Sequence, residues 1–172
     1  HYDDAERFAF FSRAVLEIIP VIDFKPDIIH CHDWQSALIP VYYSKMYAQR
    51  EGYENIKTVF TIHNIQYQGT YGMELLNEVV GIPESAASLV EYDGDCNFMK
   101  GAIECADKVT TVSPSYAGEI LDPWYSHGLD TILRERQWKL QGILNGIDVD
   151  NYNPETDKAI AKNYGVKDVK AG

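Results

Sequence analysis

The side chains with chemistry to offer fall at four places, each directly after a short apolar run. His30, His32, Asp33 and Trp34 follow Ile28-Ile29, His63 and Asn64 follow KTVFTI, Ser113 follows KVTTV, and Asn145 and Asp148 follow LQGIL. A neutral imidazole or an amide both donates and accepts hydrogen bonds, which suits the reading of sugar hydroxyls. His-x-His-Asp also has the look of a metal cluster. However, His30 and His32 share one face of an extended strand, and no third ligand follows at a defined spacing, whereas zinc needs three or four ligands. Capping or packing roles for His30, His32, Asp33 and His63 compete with the chemical one. Ser113 stands before Pro114 with no Gly-x-Ser-x-Gly around it, so it reads as a helix cap rather than a nucleophile. Asn145-Gly146 also reads as a plain turn pair. Neither Gly-x-Gly-x-x-Gly nor a P-loop occurs, and no cofactor is expected. Tyr67, Tyr71, Trp124 and Tyr125 offer aromatic faces on which a sugar ring can stack.

The elements that must hold these groups follow from periodicity. Phe8, Phe11, Val15, Ile18 and Ile22 recur at helical spacing and predict an apolar stripe, with the helix ending or kinking at Pro20. The run ending at His32 and the run KTVFTI (57–62) read as buried strands, with a helix between them carrying Leu38, Val41, Tyr42 and Met46 on one side. Residues 65–95 read as a long excursion with short helices near 74–79 and 85–90. NFMKGAIECA predicts a helix, KVTTV a third strand, 115–121 and 129–134 two more helices, and LQGIL a fourth strand. One weak helix is expected at the end of the tail. Strands alternating with helices imply a parallel sheet, apolar on both faces. The expected fold class is therefore α/β, a Rossmann-like doubly wound parallel sheet. In such sheets ligands bind beyond the carboxyl ends of the strands, where the polar residues above are found.

Composition narrows the function. The chain has 172 residues, 45% of them hydrophobic, and a net charge of −11, a globular pattern of about one domain. Its acidity argues against nucleic-acid and anionic-membrane partners, which select basic patches. The three cysteines have no paired spacing, which fits a reducing compartment. No run of about 18 apolar residues is present. The chain opens HYDDAERF, neither a Met start nor a signal peptide, so the segment is expected to begin inside a longer protein.

DIIHCHDWQSALIPVY, VFTIHNIQYQGTYG, NFMKGAIECADKVTTVSPSYAGEIL and GILNGIDVDNYNPETD occur in that order. With this order and spacing, from about Asp4 through Asp157, the chain resembles bacterial glycogen synthases and plant starch synthases. The resemblance implies a retaining transfer of glucose from ADP-glucose to the non-reducing end of an α-1,4-glucan, in an enzyme of the two-domain GT-B architecture. It implies that residues 1–157 are part of the N-terminal Rossmann-like domain and 158–172 a tail toward a C-terminal domain. It makes His63 and Asp33 the catalytic candidates, and Trp34, Asn64, Tyr67, Gln68, Gly69 and Asn145 the substrate-binding ones, with no metal. The family's Lys-x-Gly-Gly loop does not occur, so this segment alone is expected to be inactive. The resemblance further implies a bacterial cytoplasmic location, or a plastid one in a plant. The alternatives are a related GT-B enzyme with another nucleotide-sugar donor and a non-catalytic glucan-binding module. Self-association is expected if a sheet edge is left unpaired.

Overall fold

The computed structural model describes residues 3–167. Four strands form its main sheet: β1 (Ile28–His32), β2 (Lys57–Ile62), β6 (Lys108–Thr111) and β7 (Leu140–Gly142). They are parallel, in the order β1-β2-β6-β7. Helices α1 (Asp4–Glu17), α2 (Leu38–Tyr42), α3 (Phe98–Cys105), α4 (Pro114–Glu119) and α5 (Asp130–Glu135) lie before and between the strands. The expected α/β class and parallel sheet are observed.

One sheet face supplies Cys31, Phe60, Ile62 and Val109 to the buried cluster that also holds α2 and α3. Cys31 lies between two exposed histidines but belongs to that inner face. Burial pushes its thiol up to about 12, so it is inert packing. The other face is open along β1, where Ile28 is 58% exposed and His30 and His32 are exposed. This corrects the expectation of strands apolar on both faces: β1 alternates, as a strand covered on one side does. The open face is crossed by a polar row, His30 Nε2 to Thr61 Oγ1 at 2.7 Å and Thr61 Oγ1 to Thr110 Oγ1 at 2.6 Å.

Helix α1 buries Ala5, Ala9, Ser12 and Leu16, not the predicted stripe. Phe11 and Ile18 of that stripe are 47% and 49% exposed. Small residues let α1 lie close to α2, and the bulky ones turn outward. The helix ends three residues before Pro20, in the short 3₁₀ turn Ile19–Val21. Helix α2 is buried all round from Leu38 to Tyr42, not on one side only. Pro40 removes a backbone donor within it, and the helix continues as a widened turn over Tyr43–Tyr47, closed by Ala48 N–H donating to Tyr43 O at 2.8 Å.

The excursion contains a second sheet that periodicity does not reveal. Its strands are β3 (Thr70–Gly72), β4 (Glu91–Tyr92) and β5 (Asp95–Asn97), antiparallel in the order β3-β5-β4. Strands of two or three residues are too short to show alternation. The short helical turns fall at Leu76–Val80 and Glu84–Leu89, near their predicted places. In the tail no helix occurs among the described residues, and 168–172 lie outside them.

Both ends of α3 are capped by side chains. Asn97 Oδ1 accepts from Lys100 N–H at 2.9 Å, and Lys139, itself buried, donates from Nζ to Glu104 O at 3.0 Å and Ala106 O at 2.6 Å. Asp107 then sets the β2–β6 register. Its Oδ2 accepts from Thr58 N–H at 2.8 Å, and its Oδ1 lies 3.2 Å from Lys57 Nζ. Burial pushes this carboxyl up, but the Thr58 N–H and Lys57 outweigh it and hold it below the usual Asp value. A carboxyl lowered on folding stabilises the fold above its unfolded pKa, and that contribution is lost as pH falls through the folded pKa. We expect Asp107→Ala to cost about 1 kcal/mol near neutral pH and to flatten the acid limb of stability below about pH 4, measured by urea unfolding across pH.

Candidate functional site

The site forms where β1 and β2 end. The parallel ladder extends one residue beyond β1, because Asp33 N–H donates to Thr61 O at 2.9 Å. Asp33 itself adopts φ 53°, ψ −177°, a region that costs a residue with a side chain about 1–3 kcal/mol. That conformation accompanies a carboxylate clamp: Asp33 Oδ1 accepts from the backbone N–H of His63 at 2.8 Å and of Asn64 at 3.3 Å. The catalytic candidates His63 and Asp33 are thus directly joined. Ser36 holds the other side of the turn, accepting from His32 N–H at 2.6 Å and donating to His32 O at 2.8 Å.

The imidazoles of the two strand ends also meet. His32 Nδ1 and His63 Nε2 are 3.0 Å apart, and the His30 and His32 rings are 4.2 Å apart between centroids. Burial first, then the neighbouring His32 and His63, hold His30 below the ordinary histidine value. Sequence reasoning paired none of these rings. The signal was available: alternation puts His30 and His32 on one face, and parallel pairing of β1 with β2 brings His63 alongside. Among the described residues, no group of three or more His, Cys, Asp or Glu is placed to hold a metal ion.

Trp34, Tyr67, Gln68 and Gly69 gather at one shallow cavity of about 300 Å³, which Gln66, Thr70 and Tyr71 complete. Trp34 packs edge-on against Phe8 at 5.0 Å. Gly69 lies against its indole so closely that a Cβ there would stand 2.6 Å from Trp34 Cε3, and its φ is +67°. Gln68 is a brace: Nε2 donates to Ile65 O at 3.1 Å and His127 O at 3.0 Å, while Oε1 accepts from Asn97 Nδ2 at 2.6 Å. Tyr67 is 60% exposed and presents its ring outward. Asn64 Oδ1 accepts from Gln66 N–H at 3.0 Å and shapes the turn leading into the cavity. A larger cavity, about 590 Å³, lies in the tail between Glu155 and Asn163–Lys167. It is lined by none of the strand-end residues, so we place no chemistry there.

The remaining candidates separate. Ser113 caps α4, accepting from Tyr116 N–H at 2.9 Å, as its sequence context predicts. Asp148 accepts from the backbone N–H of Asp150 and Asn151 in a local turn, and those contacts with Asn151, led by its N–H, hold its carboxyl low. Asn145 is exposed after β7, on the same carboxyl edge as His63. Strand β7 lies two places from β2, about 10 Å away at ordinary strand spacing. Among the described residues no hydrogen bond joins Asn145 to His63. The strand-end residues 30–34, 63–69, 112–116 and 143–148 contain no Lys or Arg, while Arg7 of α1 stands over the Phe8 ring that packs on Trp34.

Imidazole, amide and aromatic groups thus lie over the carboxyl edge of a parallel sheet in an α/β domain. A family model described as the starch synthase catalytic domain matches residues 1–135. A glycogen synthase of Alkaliphilus metalliredigens is 49% identical over 172 residues, covering 99% of this chain and 36% of that protein. One of Clostridium perfringens is 50% identical over 171 residues, covering 98% of this chain and 35% of that protein. The catalytic domain of starch synthase IV from Arabidopsis thaliana, solved bound to ADP and acarbose, superposes with a TM-score of 0.81 at 39% identity, over 99% of this chain and 35% of that one. The chain belongs to the starch synthase catalytic domain family, and it spans a little over a third of the length of these relatives.

The clamp makes the local geometry testable. Asp33→Ala removes the acceptor shared by two backbone N–H groups and leaves the φ unfavourable, so we expect a loss of about 1–3 kcal/mol, whereas Asp33→Asn keeps an acceptor oxygen and loses less. Urea unfolding of both variants measures the difference.

Proposed function

We propose that the chain is the acceptor-side part of a retaining glucosyltransferase that moves glucose from ADP-glucose to the non-reducing end of an α-1,4-glucan. The observation that carries this reading is His63, held at the strand end by the Asp33 clamp within a segment matching the starch synthase family. The ADP and acarbose bound to the Arabidopsis enzyme support a nucleotide donor and a glucan-like acceptor. In this reading residues 1–157 belong to the N-terminal domain of a GT-B enzyme, and 158–172 lead out of it. The bacterial relatives support a cytoplasmic location, and among the described residues no helix is long and apolar enough to cross a membrane.

Charge at the anomeric carbon and ring oxygen develops as the glucosyl–phosphate bond breaks. His63 and Asn145 read sugar hydroxyls, and Trp34 and Tyr67 offer ring faces to the glucan. Asp33 acts through the backbone that carries His63. Fixed dipoles of this kind lower the barrier because they need no reorganisation during the reaction. No nucleophile is assigned: in a front-face retaining transfer the leaving phosphate assists deprotonation of the acceptor. The cation-free edge supports a division of labour in which the diphosphate is held by groups outside this segment.

In a glucan synthase carrying this segment, His63→Ala should lower kcat by about 10²–10³-fold, measured as ADP-glucose incorporation into glycogen. Unchanged turnover would overturn the role given to His63. The 172 residues alone should show no elongation of maltooligosaccharide and only weak ADP-glucose binding by calorimetry, and robust elongation would overturn the proposed division.

We also propose that the isolated chain self-associates along β1, the terminal strand of its sheet, where Ile28 and the neighbouring Phe24 and Val21 are exposed. Light scattering reads this directly, and a monodisperse monomer would refute it.

A further inference from the structure

Building on the reading of His63 as the sugar-contacting histidine, we propose that His32 is its positioning residue: Nδ1 of His32 accepts the Nε2–H of His63, which fixes that ring and leaves Nδ1 of His63 bare to accept from a substrate hydroxyl. The 3.0 Å between these nitrogens requires one proton between them. A neutral imidazole carries one donor and one acceptor nitrogen, so only two arrangements exist when both rings are neutral. If His32 donated, both rings would carry their proton on Nδ1. If His63 donates, both carry it on Nε2, the tautomer a free histidine side chain prefers. The second arrangement therefore costs neither ring anything.

The pair is held from the backbone on both sides. His32 N–H and C=O are both bonded to Ser36 Oγ, and His63 N–H is bonded to Asp33 Oδ1. The His30 ring, tied to Thr61, lies against His32 at 4.2 Å between centroids, tilted by 34°, and limits its swing. Both partners of the Nδ1–Nε2 bond thus start from fixed Cα positions, and the bond adds the last constraint, the ring rotation. A protein nitrogen chosen by its partner in this way determines which hydroxyl geometry the other nitrogen can read.

Long-range proton–nitrogen spectra of the chain with nitrogen-15-labelled histidine, at about pH 8 and so above the ordinary histidine range, read each tautomer directly. We expect His63 with its proton on Nε2 in the natural sequence. In His32→Ala its two ring nitrogens should shift toward the average of exchanging tautomers. In His32→Asn, whose Oδ1 stands near the former Nδ1, they should return. A His63 proton on Nδ1 in the natural sequence overturns the proposal without any variant, and so does an unchanged His63 spectrum in a folded His32→Ala. The functional reading fails separately: unchanged turnover of His63→Ala in the glucan synthase removes the sugar contact and leaves the tautomer result standing.

Discussion

The arrangement rests on one carboxylate. Where the β1–β2 ladder runs out, the chain must turn away from both strands while keeping their ends together. Asp33 does this with two groups at once, its N–H to Thr61 O and its Oδ1 to the N–H groups of His63 and Asn64. The residues beside that junction inherit their position from it. Trp34 follows Asp33 directly. Gly69 is packed beneath the Trp34 ring, and the Asn64 turn leads into the same loop. The unfavourable backbone of Asp33 is tolerated because the ladder bond to Thr61 O, the two bonds to its carboxylate and the Ser36 N–H on its carbonyl over-determine it.

The excursion is secured both by apolar residues it buries in the common core, Ile65, Leu76, Val80, Ile82, Ala86 and Val90, and by polar bonds. Gln68 spans from Ile65 to His127 and Asn97, and the Tyr92 hydroxyl reaches Gly128 O. The loop that presents Tyr67 is therefore fastened to residues far apart in sequence. Gln68 was expected among the substrate-binding residues of the loop entering the cleft. Its amide makes three hydrogen bonds to the scaffold and so holds the loop.

Sequence made the strands legible because their residues are β-branched and end on polar groups. The bounds of β2 agree residue for residue with KTVFTI. The cap at Ser113 was equally plain, since Pro114 at the first helical position announces it. The buried face of α1 was not, because hydrophobicity favours counting Phe and Ile, while close helix packing selects Ala and Ser. The short antiparallel sheet carries no period to detect. The rule that ligands gather at carboxyl strand ends singled out His30, His32, Asp33, Trp34, His63, Asn64, Ser113, Asn145 and Asp148, but not which of them bond to each other. Parallel register decides that, and register is a property of two segments far apart in sequence.

The cation-free edge has a kinetic meaning. A chain of net charge −11 repels an approaching anion, and the strand-end segments offer no local positive field to offset it. A neutral ligand meets no such barrier. Dissolved salt screens fields beyond about 8 Å at physiological ionic strength. An anionic ligand would thus approach this surface faster as ionic strength rises, the reverse of electrostatic steering, while a neutral one would approach at a rate that salt leaves alone.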